Sequence, residues 1–308
     1  MEVIDSPRTA EQFAPHFLQR KDVEDWGREA RLRIIQEIRD LGLIERAWEL
    51  EVDGYTVLSP EEAGTTEIAP RVLQASLDFV NRKYGWQPDL ADEGEHQGLI
   101  SAFGNVQPEI GVLGEGMVFE EALLNPVVLA LIRYLLGESC ALIHQSLFLK
   151  CPGPDHLPLH TDQDQTVGPS PLQLYAQVAN ANWALTDYTV DNGAIAFVPG
   201  SHKLCRAPTR HEATDLSLFE PVEAKAGSVI VWHGNTWHGA FRRSRPGVRA
   251  TLVEYFGRQH LAGANTSTVT QEMLDRNPPL FAELVRGQAQ MVGLGETKFQ
   301  AAKETLYG

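Results

Sequence analysis

His160-Thr161-Asp162 and, far downstream, His238 with Arg249 eleven residues beyond it have the residue types and spacing of a metal site. Two imidazoles and one carboxylate on one face of an ion, with the opposite face open, form the ligand set of non-haem Fe(II) oxygenases. The downstream Arg is a fixed fork of N–H donors suited to gripping a second carboxylate, such as that of a 2-oxo acid. On a strand, residues i and i+2 share a side, so His160 and Asp162 would both face inward and Thr161 outward. His233 competes with His238 for the second imidazole. Ser228 to Trp232 reads as a strand and His233-Gly234-Asn235 as the turn after it, whereas His238 lies just before the strand carrying Arg249. That layout favours His238. His156 stands four residues before His160, but Pro158 between them speaks against a helical zinc pair. A lone His-x-Asp is common by chance, and it gains weight from the distant His and Arg.

The elements that must hold these residues change character near residue 140. The first 140 residues read as mainly helical. A helical stripe runs from Asp22 to a Gly42 stop, a short strand covers Glu51 to Leu58, and a second helix spans Pro70 to Gly85. Asn125-Pro126 opens a third helix through Leu136, stopped by Gly137. Residues 91–118 are Gly-rich with few periodic apolar positions, as in a functional loop or lid. From Ala141 the period shifts towards two: 141–149, 172–186, 193–198, 228–232 and 249–256 read as strands, with Asp191-Asn192-Gly193 a strong turn signal. Short strands without crossover helices imply an antiparallel barrel or double sheet. The tail from about 270 to 290 reads as helical, broken at Asn277-Pro278-Pro279. The expected organisation is one domain over 1–308: a mainly helical part to 140, a sheet core over 141–258, and a helical tail over 259–308.

A net charge of −15 argues against nucleic acid as a partner, because phosphate backbones demand a basic surface. The cluster Arg242, Arg243, Arg245 reads as a solvated loop. No apolar run reaches the roughly 20 residues of a membrane helix, and residues 1–5 lack the basic start of a secretory signal. Cys140, Cys151 and Cys205 form no C-x-x-C pair and read as free thiols, which fits a reducing cytoplasm. The expected partner is a small molecule, with neither nucleic acid nor membrane.

From about Ile143 to Arg258 the chain resembles the phytanoyl-CoA dioxygenase family of Fe(II)/2-oxoglutarate oxygenases. The resemblance rests on His-Gln-Ser at 144–146, Pro-Leu-His-Thr-Asp at 158–162, Asp-Asn-Gly through Pro-Gly-Ser-His at 191–202, and Trp-His-Gly through His-Gly at 232–239. It implies a double-stranded β-helix, a jelly roll flanked by helices. It implies His160, Asp162 and His238 as ligands of Fe(II), and Arg249 as the grip on the far carboxylate of 2-oxoglutarate, with O2 as the other cosubstrate. Gln145 is similar to a glutamine placed near 2-oxoglutarate in the ectoine-hydroxylase branch, and Trp183 to a tryptophan lining that pocket in the mammalian branch. Ala240 departs from the pattern: some relatives carry Ser there, so another group must replace that hydroxyl. His202 reads as a turn-stabilising residue, and Trp232 and Trp237 as core aromatics around the site.

The resemblance implies hydroxylation of an unactivated C–H of a small organic metabolite, with release of succinate and CO2. Related halogenases replace the ligand carboxylate with a small residue, so Asp162 favours hydroxylation over chlorination. Desaturation or epimerisation with the same cofactors is the alternative. A cupin-type metal-dependent hydrolase or isomerase is the other, although it has no need of a clamp at Arg249. Substrate contacts are expected from 91–118 and from 203–226, because loops around a rigid barrel carry specificity.

Overall fold

The computed structural model describes residues 26–87, 90, 106–168, 171–264 and 269–286. Among the described residues ten strands lie in two antiparallel sheets: β1 (Tyr55–Leu58), β2 (Val106–Ile110), β3 (Ala141–Lys150), β4 (Leu157–His160), β5 (Val178–Ala184), β6 (Ile195–Phe197), β7 (Glu220–Pro221), β8 (Val229–His233), β9 (His238–Ala240) and β10 (Arg249–Gly257). The larger sheet runs β1-β8-β5-β10-β3-β2 and the smaller β4-β9-β6-β7. This is the double sheet that the strand pattern implies, and the jelly roll with flanking helices that the resemblance implies. β1 and β2 come from the first 140 residues yet extend both edges of the larger sheet, so residue 140 marks no boundary in the fold.

Several element boundaries differ from the sequence reading. The first helix is described from Trp26, and residues 22–25 lie outside the described residues. A helix over Ile44–Val52 takes the first residues of the expected 51–58 strand, and Gly54, at φ 85°, then turns the chain into β1. β2 lies inside the stretch expected to be irregular, while 91–105 lies outside the described residues. Asn125 caps the helix Pro126–Leu136 as expected; its side chain accepts from the Val127 and Val128 N–H groups. Among the described residues no helix is long and apolar enough to cross a membrane.

Both faces of the larger sheet are covered, and the parity of each strand decides which face a side chain meets. On the back, Leu147, Leu149, Ala179, Ala181, Trp183, Leu252 and Phe256 pack with Leu129, Ile132 and Val72 of the helices into the main core. On the front, Phe148, Lys150, Asn180, Asn182, Arg249, Val253 and Tyr255 line a cavity against the smaller sheet.

That parity corrects two expectations. Gln145 and Trp183 lie on the back face and do not line the cavity. The Gln145 amide donates to the Phe119 carbonyl (2.9 Å) and to Glu254 Oε1 (2.9 Å), and Trp183 Nε1 donates to Glu254 Oε2 (3.2 Å). The three side chains form a buried polar cluster joining β3, β5 and β10 beneath the helix Met117–Leu123. A third correction concerns Arg243. It is buried, and it donates to the Gly247 carbonyl and to Asn192 Oδ1, so it ties two turns together rather than belonging to a solvated patch.

Burial raises the Glu254 carboxyl to about 7, against the lowering effect of its Gln145 and Trp183 donors. The folded state therefore holds this proton at pH values where the unfolded chain has released it. The stability due to the neutral carboxyl is present below the unfolded carboxyl pKa and lost as pH rises towards 7. Glu254→Gln should flatten this part of the pH–stability curve, with a gain above pH 7 of at most about 3 kcal/mol. Urea melts of wild type and variant between pH 5 and 8 check it; a stability difference between the two that does not change with pH would refute the assignment.

Candidate metal and cosubstrate site

The two imidazoles meet because β4 and β9 pair. His160 and His238 are direct partners across that ladder, with ring centroids 4.2 Å apart. Gly239 makes the approach possible, since a Cβ there would run into the Leu157 carbonyl. His160 Nδ1 lies 2.9 Å from the Pro158 carbonyl and His238 Nδ1 3.0 Å from the Thr236 carbonyl. A carbonyl only accepts, so both rings carry hydrogen on Nδ1 and present a bare Nε2 lone pair. Burial pushes the His238 imidazole down to about 4, against the raising effect of Asp162, so the ring is neutral at ordinary pH.

Asp162 arrives by a different route from the one its spacing suggests. β4 stops at His160, and Asp162 is the first residue of a short helix, Asp162–Val167, capped by the Thr161 hydroxyl accepting from the Asp164 N–H. The Asp162 and Gln163 N–H groups both donate to the Gly234 carbonyl, at 3.1 and 3.0 Å, which seats the helix start on the turn after β8. Asp162 Oδ1 then lies 3.9 Å from His160 Nε2, and Oδ2 lies 3.4 Å from His238 Nε2. Asn180 Nδ2 (2.6 Å) and Trp232 Nε1 (3.2 Å) donate to Oδ2 and hold the carboxylate in place. The ligand atoms of His160, Asp162 and His238 fall within 4.8 Å of one another. Two imidazole nitrogens and one carboxylate converging from one side suit a divalent first-row metal with open positions.

His233 is not part of this group. Its Nε2 faces the Leu174 carbonyl and its Nδ1 accepts from the Asn235 N–H, so both ring nitrogens are used in the turn. His202 packs against His233 at 5.3 Å and also stands outside the cavity. Trp232 lines the site, whereas Trp237 donates from Nε1 to the Arg206 carbonyl and lies elsewhere.

The cavity is about 450 Å³ and reaches from the His-Asp-His group to Arg249. Arg249 is buried, sits over the Tyr188 ring at 4.6 Å, and donates from Nη1 to the Gly193 carbonyl. The Asp191-Asn192-Gly193 turn thus positions this guanidinium. Arg249 Nε has no partner, and neither has Asn182 Oδ1. Such unsatisfied buried atoms are costly unless a ligand completes them. Tyr255 lies at the Asp162 end, with its hydroxyl on the Asp162 carbonyl (3.3 Å), and the His144 ring lies tilted beside it at 5.1 Å. Among the described residues, none from 203–226 lines the cavity. Sequence reasoning missed Asn180, Asn182, Lys150, Tyr188 and His144. The alternation of Asn180 and Asn182 on one strand was the available signal.

The sequence model of the family described as phytanoyl-CoA dioxygenase (PhyH) matches residues 50–250. Dioxygenase af480 of Aspergillus fumigatus is 31% identical over 173 residues, covering 54% of this chain and 54% of that protein. The chain spans about half the length of the curated relatives it matches. Among solved structures, HygX from Streptomyces hygroscopicus, with nickel and 2-oxoglutarate bound, superposes with a TM-score of 0.55 at 16% identity, over 74% of this chain and 96% of that one. The epimerase SnoN, in complex with Fe3+, alpha ketoglutarate and nogalamycin RO, gives 0.53 at 20% identity, over 78% and 91%. Fold and site define a class of jelly-roll proteins that present a His-Asp-His group in a cavity beside a buried arginine. Within that class, the chain belongs to the phytanoyl-CoA dioxygenase family.

The Asn180 and Trp232 donors act on Asp162 from behind. Asn180→Ala should weaken metal binding by about 10- to 100-fold while leaving the fold intact. Titration of the apoprotein with Co(II), followed by its visible absorption, measures this; an unchanged affinity would remove Asn180 from the support of the site.

Proposed function

We propose that the chain is an Fe(II)- and 2-oxoglutarate-dependent dioxygenase that hydroxylates an unactivated C–H bond of a small organic metabolite, working as one domain in the cytoplasm. The observation that carries it is the convergence of His160, Asp162 and His238 in a cavity with a buried, partly unsatisfied Arg249.

His160 and His238 would hold the iron through Nε2, and Asp162 through its carboxylate. Iron and 2-oxoglutarate together would supply the oxidising chemistry, with O2 consumed and succinate and CO2 released. The protein's own part is placement. The carbonyls of Pro158 and Thr236 fix both rings, and Asn180 and Trp232 fix the carboxylate. Arg249, anchored on the Gly193 carbonyl, keeps donors for the far carboxylate of 2-oxoglutarate. Burial of Arg249 and His238 keeps bulk water from the reacting groups. Asp162 occupies the position a halide would need, which supports hydroxylation. HygX and SnoN are described with 2-oxoglutarate or alpha ketoglutarate and a metal, and their fold likeness is consistent with this reading.

Anaerobic addition of Fe(II) and 2-oxoglutarate should produce a metal-to-ligand charge-transfer band in the visible. Absence of that band in metal-loaded protein would sink the proposal. His160→Ala and Asp162→Ala should each abolish succinate formation, measured with and without candidate substrates. Arg249→Ala should raise the KM for 2-oxoglutarate by about 10-fold or more, as loss of a charge-assisted hydrogen bond predicts, and change kcat less; an unchanged KM would take Arg249 out of the site.

A further inference from the structure

We propose that Lys150 is a second cation of the cosubstrate site, acting with Arg249 on the distal carboxylate and supplying the contact that Ala240 cannot. The inference rests on the functional reading above. Lys150 and Arg249 are directly paired across β3 and β10, and both side chains line the cavity. They are 1% and 7% exposed.

Three observations point to an anion between them. Among the described residues neither cation has a carboxylate partner: Lys150 Nζ donates to the Phe241 carbonyl, and Arg249 Nη1 to the Gly193 carbonyl. In a chain of net charge −15, two buried cations left side by side without a carboxylate would be costly unless a ligand neutralises them. The Arg249 Nε is unsatisfied, so donor capacity remains at the same place. Third, the Phe241 carbonyl that holds Lys150 belongs to the residue after Ala240, which itself lines the cavity. The ammonium is therefore held against the cavity wall at the residue that follows Ala240. Gly193 maintains the arrangement: at φ 76° it passes so close that a Cβ would lie 2.9 Å from Lys150 Cε.

Among the described residues, the charged groups facing Lys150 are Arg249 on β10, Arg243 in the loop before it, and His156 in the loop after β3. None is an acid. Burial first, then Arg249 and Arg243, bring the Lys150 ammonium down to about 7. A carboxylate bound beside it would favour the charged form, so binding takes up a proton when the pH lies above that value. Affinity for 2-oxoglutarate is then highest where Lys150 is already protonated, and it falls as pH rises above about 7.

The test measures dissociation constants on Ni(II)-loaded protein for 2-oxoglutarate and for 2-oxopentanoate, which lacks the distal carboxylate. Lys150→Met should weaken 2-oxoglutarate binding by about 10-fold or more, on the scale of a charge-assisted hydrogen bond, and leave 2-oxopentanoate unchanged. Lys150→Arg, which stays charged, should remove the fall in affinity above pH 7 that the wild type shows. Equal weakening of both acids by Lys150→Met would mean a purely structural lysine and overturn the inference, as would a flat wild-type pH profile. If Arg249→Ala weakens 2-oxoglutarate and Lys150→Met does not, this inference alone fails. If the wild type binds no 2-oxoglutarate, the functional reading fails with it.

Discussion

The cross-strand pairing of His160 with His238 is the contact on which the rest of the site depends. It brings two imidazoles together, tilted at 49° to one another, through backbone hydrogen bonds alone, before any ion is considered. The carbonyls of Pro158 and Thr236 then choose the tautomer of each ring and aim both Nε2 atoms the same way. Because β4 and β9 are short, the approach depends on local features: the absence of a side chain at Gly239, and a chain that leaves β4 at Thr161 to start a helix. The third ligand follows from that helix start. Its first two N–H groups are held by the Gly234 carbonyl, so the turn after β8 and the end of β4 are fixed together.

The larger sheet serves two masters through strand parity. β10 gives Arg249, Thr251, Val253 and Tyr255 to the cavity side, and Leu252, Glu254 and Phe256 to the helical core. This explains which parts of the site were legible in the sequence. His160, Asp162, His238 and Arg249 were legible because their chemistry is rare in combination, and the Asp191-Asn192-Gly193 turn because Gly193 needs its positive φ. Gln145 and Trp183 were placed by the resemblance, and β3 and β5, buried on both faces, offered no pattern against which to check their side. A strand such as Val178–Ala184, with every residue buried, has no polar–apolar alternation from which to read its inward side. The strand core and the helix Pro126–Leu136 were legible from period and capping. The helix Ile44–Val52 was not, since it carries no side-chain cap and runs directly into a turn and strand.

The polar atoms on the two faces of the sheet are treated differently. On the back, Glu254 is enclosed with Gln145 and Trp183, and burial holds its proton. On the front, polar atoms are left open: Arg249 Nε, Asn182 Oδ1 and the Nε2 atoms of the two ligand histidines. Buried polar atoms without partners are costly. The back cluster keeps one such atom, Gln145 Oε1, where no cavity opens, whereas the Arg249 Nε and Asn182 Oδ1 belong to residues lining the cavity, where a ligand can complete them.

The charges on the front face are ordered along β10. Asp162 and the imidazoles lie beside Tyr255 at one end, and Arg249 with Lys150 lies at the other. A metal ion at the first end would bring positive charge to the carboxylate there, and the second end already holds two cations. A ligand fitting both ends must carry negative charge at each of them, with metal-binding oxygens at one and a carboxylate at the other. A 2-oxo dicarboxylic acid meets that requirement. A monocarboxylate would leave the inner cations buried without a counter-charge, so under the proposed function the cavity would favour a dicarboxylate by the cost of leaving Lys150 and Arg249 unpaired as well as by the contacts it offers.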